Sequence, residues 1–322
     1  MNKAFWQDKI VFITGANGYL GTKLAEQLLG LGAQVNAYDL TAESGLSKSR
    51  LASKVSIFLG DLAEIDRVQD LLQKVNAQIC FHLAGQSEVA KCQETPAKAF
   101  NYNVEATWSF LEACRRYGKA QAIVTVSSNH IYGNQELRPT SETAPLNGKD
   151  VYAVSKLCAD LIAQCYAKNY DMPITIARIT NTFGGYDPHD EHVVTSTIRA
   201  ALVGQRPVIK SNGRPSKGYL YIDDTVAAFL VLAEQTVLQR LSGDCFNFAP
   251  EENINVLDLA NRILQIIGRS DLEPAVLGHS MELYEIEHLS IQKAQEVLGW
   301  EPRFSLDDGL RLAIQEMKER SG

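Results

Sequence analysis

The chain has 322 residues, of which 45% are hydrophobic, enough to build one large core or two closely joined ones. Its 38 acidic and 31 basic residues give a net charge of -7, which argues against a general affinity for nucleic acid or for a membrane surface. No apolar run reaches the roughly eighteen residues of a membrane span, the N-terminus lacks the apolar core of a secretory signal, and the 6 cysteines have no C-x-x-C spacing. We therefore expect a cytoplasmic protein with no bound metal and no disulfide framework.

The first predicted elements are a strand, a glycine-rich turn, a helix and a second strand. Apolar residues 10–14 predict the first strand, and Gly15 permits the tight turn that leaves it. Gly18 lets backbone amides approach a pyrophosphate at the helix N-terminus, and Gly21 lets the helix pack closely on the sheet. The second strand ends at Asp39, whose carboxylate would bind the ribose hydroxyls of adenosine and repel a 2′-phosphate. The pattern predicts a dinucleotide site that favours NAD over NADP, lined by Gly15, Asn17, Gly18, Tyr19, Leu20, Gly21 and Asp39.

Further strands alternate with helices along the first half of the chain. The apolar patterns predict strands at 55–59, 77–85 and 120–126, and helices at 65–75 and 96–117. Near-continuous apolar runs suit strands that are covered on both faces, so the sequence predicts a doubly wound parallel α/β sheet with ligands at the carboxyl ends of its strands. Asp61, at the end of the third strand, would reach the adenine. His82 lies within the fourth strand and is predicted to be a hydrogen-bonded core histidine.

The alternation of predicted strands and helices becomes less regular past residue 178. A loop is predicted at 184–189, and helices are predicted at 193–203, 225–234, 256–267, 291–298 and 307–318. We expect residues 1–178 and 219–240 to form the dinucleotide-binding domain, and residues 179–218 and 241–322 to form a smaller α/β substrate domain.

A helix that begins near Asp150 carries the first candidate catalytic residues. Tyr152 and Lys156 are four residues apart and therefore share one helical face. A nearby ammonium stabilises a phenolate, so Tyr152 is expected to take the proton of a substrate hydroxyl near neutral pH, and Lys156 could also hold the nicotinamide ribose. Ser128, at the end of the fifth strand, could hydrogen-bond the same substrate oxygen.

Taken together, these motifs resemble the extended short-chain dehydrogenase/reductases, specifically the nucleotide-sugar epimerases and dehydratases. The resemblance is carried by Thr14-Gly15-x-x-Gly18-x-x-Gly21, Asp39, Asp61-Leu62, Leu83-Ala84-Gly85, Asn103, Ser128 and Tyr152-x-x-x-Lys156. It implies a Rossmann fold with NAD as cofactor, and adds Asp61, Leu62, Leu83, Ala84, Gly85, Asn103 and Lys156 to the cofactor site. Segments near residues 5–9 and 152–161 look most like CDP-glucose 4,6-dehydratases, whereas residues 80–86 also resemble CDP-tyvelose 2-epimerase.

The resemblance implies a shared first step, in which Tyr152 removes a sugar hydroxyl proton while the same carbon passes a hydride to NAD. The residues after Ser128 then decide the fate of the keto-sugar. The 4,6-dehydratases carry an acidic or serine residue and then a glutamate or lysine at these two positions, whereas this chain has Asn129 and His130. Asn129 cannot donate an acidic proton, but the imidazole of His130 suits removal of the C5 proton. His130 could instead be a packing or nucleotide-contacting residue.

The sequence therefore predicts an NAD-dependent nucleotide-sugar 4,6-dehydratase that oxidises the hexose at C4 and eliminates water across C5 and C6. An epimerase acting at C2, C4 or C5 is the alternative, and a non-catalytic NAD-binding regulator is a third reading. A homodimer is expected, because relatives pair through the two helices at 96–117 and after Asp150. The residues predicted to bind the nucleotide sugar are Gln86, Ser87, Asn181, Arg214 and Lys217.

Overall fold

Thirteen strands build the fold in the computed structural model, which describes residues 2–42, 45–185, 187–280 and 286–321. They are β1 (Ile10–Thr14), β2 (Gln34–Asp39), β3 (Ser56–Leu59), β4 (Ile79–His82), β5 (Ala122–Ser128), β6 (Ile174–Ile179), β7 (Asn181–Phe183), β8 (Val208–Ser211), β9 (Ser216–Tyr221), β10 (Cys245–Phe248), β11 (Asn253–Asn255), β12 (Ala275–Ser280) and β13 (Ile286–Glu287). Seven of them form one parallel sheet in the order β10-β6-β5-β4-β1-β2-β3.

Helices cover both faces of that sheet. The helices of the described residues are α1 (Lys3–Trp6), α2 (Tyr19–Gly30), α3 (Ile65–Val75), α4 (Val89–Glu94), α5 (Pro96–Phe100), α6 (Ala106–Tyr117), α7 (Val151–Tyr170), α8 (Val193–Leu202), α9 (Ile222–Gln239), α10 (Val256–Ile267) and α11 (Leu306–Ser321). Of these, α8, α10 and α11 pack in the smaller lobe. Short 3-10 turns at 45–48, 52–54 and 129–132 and π-helical turns at 101–105 and 294–298 complete the described structure. Within the described ranges, no helix has both the length and the apolar character that crossing a membrane requires.

Successive side chains of each strand point to opposite faces of the sheet, so the core has two layers. Val11 and Ile13 of β1 point to the face that α2 and α9 cover, whereas Phe12 points to the opposite face, beneath α3 and α6. Both faces of the sheet are therefore buried, and the predicted doubly wound α/β fold is confirmed. The strand order reverses between β1 and β4, so the carboxyl ends of these strands open on the crevice where such sheets bind ligands.

The smaller lobe has a sheet of its own. β9 pairs with β7, β11 and β13, while β8 pairs with β12. Two segments cross the predicted domain boundaries. Cys245–Phe248, placed by the sequence in the substrate domain, pairs with β6 of the large sheet, and Tyr219–Tyr221, placed in the dinucleotide domain, belongs to the small sheet. The apolar runs in the sequence do not reveal which sheet a short strand joins.

His82 has the role predicted for it. Its ring is buried, with Nδ1 2.8 Å from the Thr14 hydroxyl and Nε2 3.0 Å from the Thr107 hydroxyl. The ring also stacks on Phe110. Burial lowers its pKa to about 3, and the charge of Lys156 adds to that effect. The cysteines are all unpaired, and four of the six are buried.

Candidate active site

Three glycines shape the turn between β1 and α2. Gly15 has a left-handed φ of 69°, and a Cβ there would lie 2.6 Å from the backbone nitrogen of Ala84. A Cβ at Gly21 would lie 2.2 Å from the Gly15 carbonyl oxygen, so neither position admits a side chain. Among the described atoms, a Cβ at Gly18 would meet only that same oxygen, at 3.1 Å, which leaves the N-terminal amides of α2 open to an anion. The turn therefore fits the diphosphate of a dinucleotide.

Asp39 ends β2 directly beside this turn. Its carboxylate accepts hydrogen bonds from the backbone amides of Asn17 and Leu40, both at 2.8 Å, and burial raises its pKa. The Asn17 side-chain oxygen accepts hydrogen bonds from the amide and the hydroxyl of Ser47, at 2.9 and 2.8 Å. Asn17 thus ties the glycine turn to the loop after β2, and the acid stands where the sequence places it.

The other predicted cofactor residues lie at the same edge of the sheet but differ in exposure. Asp61 is exposed, and its carboxylate accepts a hydrogen bond from a backbone amide two residues further on, at 3.0 Å. Leu62 is buried in the core beside it, and Leu20 packs partly buried on α2. Leu83 and Ala84, which leave β4, are partly exposed against the glycine turn.

Asn103 holds the loop after β4 in place. Its Oδ1 accepts a hydrogen bond from the Gln86 amide at 2.7 Å, while its Nδ2 donates to the Gln86 carbonyl at 3.1 Å and to Ser155 Oγ at 2.8 Å. Gly85 has a φ of 155°, and a Cβ there would lie 2.6 Å from Asn103 Oδ1. Asn103 therefore anchors Gln86 to α7, while Ser87, the next residue, is exposed.

Ser128, Tyr152 and Lys156 meet at the carboxyl end of β5. Asp150 begins α7 as its N-cap, as the sequence predicts, and sets Tyr152 and Lys156 one turn apart on the face toward β5. The Lys156 ammonium donates to the Val126 carbonyl, and Ser128 hydrogen-bonds Tyr152. The three side chains thus stand together as predicted.

The pKa of Tyr152 is the reverse of the expectation. Burial raises it to about 12, and the hydrogen bond from Ser128 offsets only part of that rise. Burial also lowers the pKa of Lys156 to about 8. Burial of the phenol thus outweighs the hydrogen bond from Ser128, while the Lys156 ammonium is directed at the Val126 carbonyl.

A buried carboxylate that the sequence analysis missed joins Asn129 and His130. Glu287 Oε2 accepts a hydrogen bond from Asn129 Nδ2, and Glu287 Oε1 lies 3.6 Å from His130 Nε2. Lys217 Nζ lies 3.5 Å from the same oxygen. Ser128 Oγ is 3.3 Å from Asn129 Oδ1, so the cluster is continuous with the Tyr152 site. Glu287 is 158 positions from Asn129, and no local pattern in the sequence marks it.

The three residues predicted to bind the nucleotide sugar from the small lobe differ in their settings. Asn181 begins β7 and donates from Nδ2 to the Gly218 carbonyl at 3.3 Å. Lys217 on β9 is largely buried and faces Glu287, whereas Arg214 is exposed in the loop before that strand. Only Lys217 of these cations therefore contacts the cluster of Asn129, His130 and Glu287.

A second group of titratable residues lies before α8. Asp187 accepts from His189 Nδ1 at 2.8 Å through one oxygen and from His192 Nδ1 at 2.6 Å through the other. The backbone amide of His189 and the Thr195 hydroxyl add two further hydrogen bonds to the same carboxylate, at 3.0 and 3.2 Å. Three side chains of metal-ligating type thus stand together, although the sequence predicts no metal. Their ligand atoms all lie within 4.8 Å of one another, close enough to hold a metal ion, and their mutual hydrogen bonds also anchor the loop before α8.

A seven-stranded parallel sheet, a glycine turn before α2 and a Tyr-Lys pair on α7 define a dinucleotide-dependent enzyme of the short-chain dehydrogenase type. Residues 11–247 match the NAD dependent epimerase/dehydratase family. The chain belongs to this family, which confirms the predicted family and its cofactor, NAD.

Two curated relatives align along almost the whole chain. The CDP-glucose 4,6-dehydratase of Salmonella typhimurium is 26% identical and is matched over 96% of this chain and 90% of its own length. The UDP-glucose 4-epimerase of Mycolicibacterium smegmatis is 28% identical, over 96% of this chain and 98% of its own. A solved UDP-glucose 4-epimerase from Thermotoga maritima, in complex with UDP-glucose, is 25% identical with a TM-score of 0.90, over 97% of this chain and 100% of that one.

Proposed function

We propose that the chain is an NAD-dependent nucleotide-hexose 4,6-dehydratase. The observation that carries the proposal is the cluster of His130 and Glu287 beside the Ser128 and Tyr152 site. Of the protein side chains, hydride transfer between C4 and NAD needs only Tyr152 and Ser128. Loss of water across C5 and C6 needs a further side chain that moves a proton. The similarity to a CDP-glucose 4,6-dehydratase along nearly the whole chain supports the same reading.

The first step belongs to the residues of β5 and α7. Tyr152 takes the proton of the C4 hydroxyl while Ser128 hydrogen-bonds the same oxygen. The glycine turn, Asp39 and Lys156 would hold the dinucleotide. Oxidised NAD, when bound, supplies the hydride acceptor for C4 and a cationic ring whose charge favours the Tyr152 phenolate. Burial is the main cause that raises the pKa of Tyr152 to about 12, so a positive charge beside the phenol would favour its ionised form at neutral pH.

The second step belongs to His130. A carbonyl at C4 makes the neighbouring C5-H acidic, and an imidazole titrates in the range in which it can take that proton and return it. His130 stands beside Tyr152, with ring centroids 5.4 Å apart at an interplanar angle of 83°. A base so close to the C4 site can reach the adjacent carbon of the same sugar.

The test is a panel of CDP-, dTDP-, GDP- and UDP-hexoses incubated with the protein and NAD in D2O. We expect one of them to give a 4-keto-6-deoxy product that has lost one water and gained deuterium at C5. His130→Gln should still form reduced nicotinamide with that hexose but should slow C5 exchange by about a hundredfold or more. Production of epimers alone, or no turnover of any hexose, would refute the dehydratase.

Asn129 favours a second candidate. Its amide cannot act as the separate carboxylic acid that expels a hydroxyl, and relatives include UDP-glucose 4-epimerases. In this reading the keto-sugar is reduced again without loss of water. Deuterium uptake with retention of the C6 hydroxyl, or simple inversion at C4, would select the epimerase.

A further inference from the structure

Strand β13 brings a carboxylate into the active site from the small lobe. Its two residues pair in parallel with β9, which sets Glu287 opposite Lys217. The Glu287 side chain is only 5% exposed. A carboxylate buried to this degree is costly unless donors and positive charge surround it, so its immediate neighbours define what it does.

The two oxygens of Glu287 have different partners. Oε2 accepts a hydrogen bond from the neutral amide of Asn129, which fixes the plane of the carboxylate. Oε1 faces His130 Nε2 at 3.6 Å and Lys217 Nζ at 3.5 Å. One oxygen is thus held in place, and the other is directed at two groups that carry or acquire positive charge.

His130 connects this carboxylate to the reacting centre. Its backbone amide lies 3.3 Å from Ser128 Oγ, and its ring meets the edge of Tyr152. The Nε2 atom faces Glu287, so the imidazole lies between the carboxylate and the site of C4 oxidation. A shift of about half an ångström would bring Nε2 into hydrogen-bond distance of Oε1.

We propose that Glu287 is a positioning residue for His130. Its Oε1 accepts a hydrogen bond from the Nε2-H group, which orients the ring, and its negative charge stabilises the imidazolium that forms when His130 takes the C5 proton. Asn129, which replaces the expected acid, serves here to orient Glu287. The inference rests on the proposed function, since it needs a proton to leave C5.

The step is balanced without a further reactant. The C5-H bond breaks, its proton passes to His130, and its electron pair forms the C5-C6 double bond as the C6-O bond breaks. The imidazolium returns the same proton to the departing hydroxyl, which leaves as water. Over the whole step C5 loses one proton and the departing oxygen gains it, His130 is protonated only transiently, and Glu287 stays ionised throughout.

The experiment separates C4 oxidation from C5 exchange. For the hexose that the wild-type chain turns over, Glu287→Gln should slow deuterium uptake at C5 by about ten- to a hundredfold, because the charge that supports the imidazolium is gone. Formation of reduced nicotinamide, followed by absorbance, should stay within about twofold of wild type. Glu251→Gln, the same change at an exposed position, is the matched control and should alter neither rate.

Two further variants test whether Glu287 acts through His130. In a His130→Gln background, Glu287→Gln should cause little further loss of exchange, whereas a merely structural role would add its effect to that of the first change. Glu287→Asp keeps the charge and should recover part of the exchange rate, and it serves as the test variant if Glu287→Gln does not fold. Circular dichroism checks the fold of each.

The possible outcomes distinguish failure of the proposed Glu287 role from failure of the proposed dehydratase function. If wild type exchanges C5 hydrogen and both Glu287 variants exchange it equally fast, the inference is wrong and the dehydratase stands. If Glu287→Gln slows C4 oxidation as much as exchange, or adds fully to His130→Gln, the positioning role is likewise refuted. If wild type exchanges no hydrogen at C5 with any hexose, the proposed function fails and the inference fails with it.

Discussion

Replacement of His82 by glutamine should make the protein less sensitive to acid. The imidazole is neutral in the folded protein because its pKa falls to about 3, whereas it titrates near its ordinary 6.5 in the unfolded chain. Between these values the unfolded state binds more protons, so stability falls as the pH falls. With a folded pKa of about 3, lowering the pH from 7 to 5 removes about 2 kcal/mol through this one group.

The measurement is urea unfolding, followed by tryptophan fluorescence, at pH 7 and at pH 5. His82→Gln should lose about 2 kcal/mol less than wild type between the two pH values, while its amide still reaches the Thr14 and Thr107 hydroxyls. His189→Gln is a control of opposite sign. The hydrogen bond to Asp187 raises the pKa of His189, so its stabilising effect is complete below the unfolded pKa and its removal should enlarge the loss at pH 5. Equal losses in wild type and His82→Gln would refute a neutral buried imidazole.

Three other changes test the cofactor turn, the phenol and the core. Gly18→Ala should weaken NAD binding, measured by calorimetry, by about tenfold or more without lowering Tm. Gly21→Ala should lower Tm, because the added Cβ would lie 2.2 Å from a backbone oxygen. Equal effects of the two substitutions on binding and on Tm would contradict this steric account. Tyr152→Phe should reduce formation of reduced nicotinamide by about a hundredfold or more at unchanged substrate affinity, and an active variant would exclude the phenol as base. Arg178 binds Asp160 through two hydrogen bonds of 2.9 Å, so Arg178→Met leaves the Asp160 carboxylate buried without its cation. The free energy of unfolding, measured by urea titration, should fall by about 3–5 kcal/mol. A loss below about 1 kcal/mol would contradict this expectation.

Features set by nearby residues were predictable from the sequence. The bounds of α3 and α10 match the predicted 65–75 and 256–267, because an apolar helical period ends in each case at a left-handed cap, Asn76 or Gly268. The glycine turn and Asp39 follow from the order of strand, turn, helix and strand. The spacing of Tyr152 and Lys156 likewise places them on one face.

Features that depend on contacts between distant segments were not predictable. The spacing of Tyr152 and Lys156 shows that the two side chains are near each other, but not that burial raises the pKa of the phenol to about 12. Strand β10 belongs to the large sheet because it pairs with β6, a strand far earlier in the chain, and the sequence near β10 does not show this pairing. The carboxylate of Glu287 reaches Asn129 through a two-residue strand that has no pattern of its own.

The same contrast separates the two halves of the candidate chemistry. Ser128 and Tyr152, which would act at C4, lie on β5 and α7 of the large-sheet lobe, whose local sequence determines their positions. Glu287, which faces His130, and Lys217, which faces Glu287, come from the small sheet. Under the proposed function, a substitution in β13 should therefore change what happens to the keto-sugar without changing how it is formed. Enzymes with one dinucleotide site can in this way differ in product, because the carboxylate that positions His130 belongs to a different sheet from the residues that would oxidise C4.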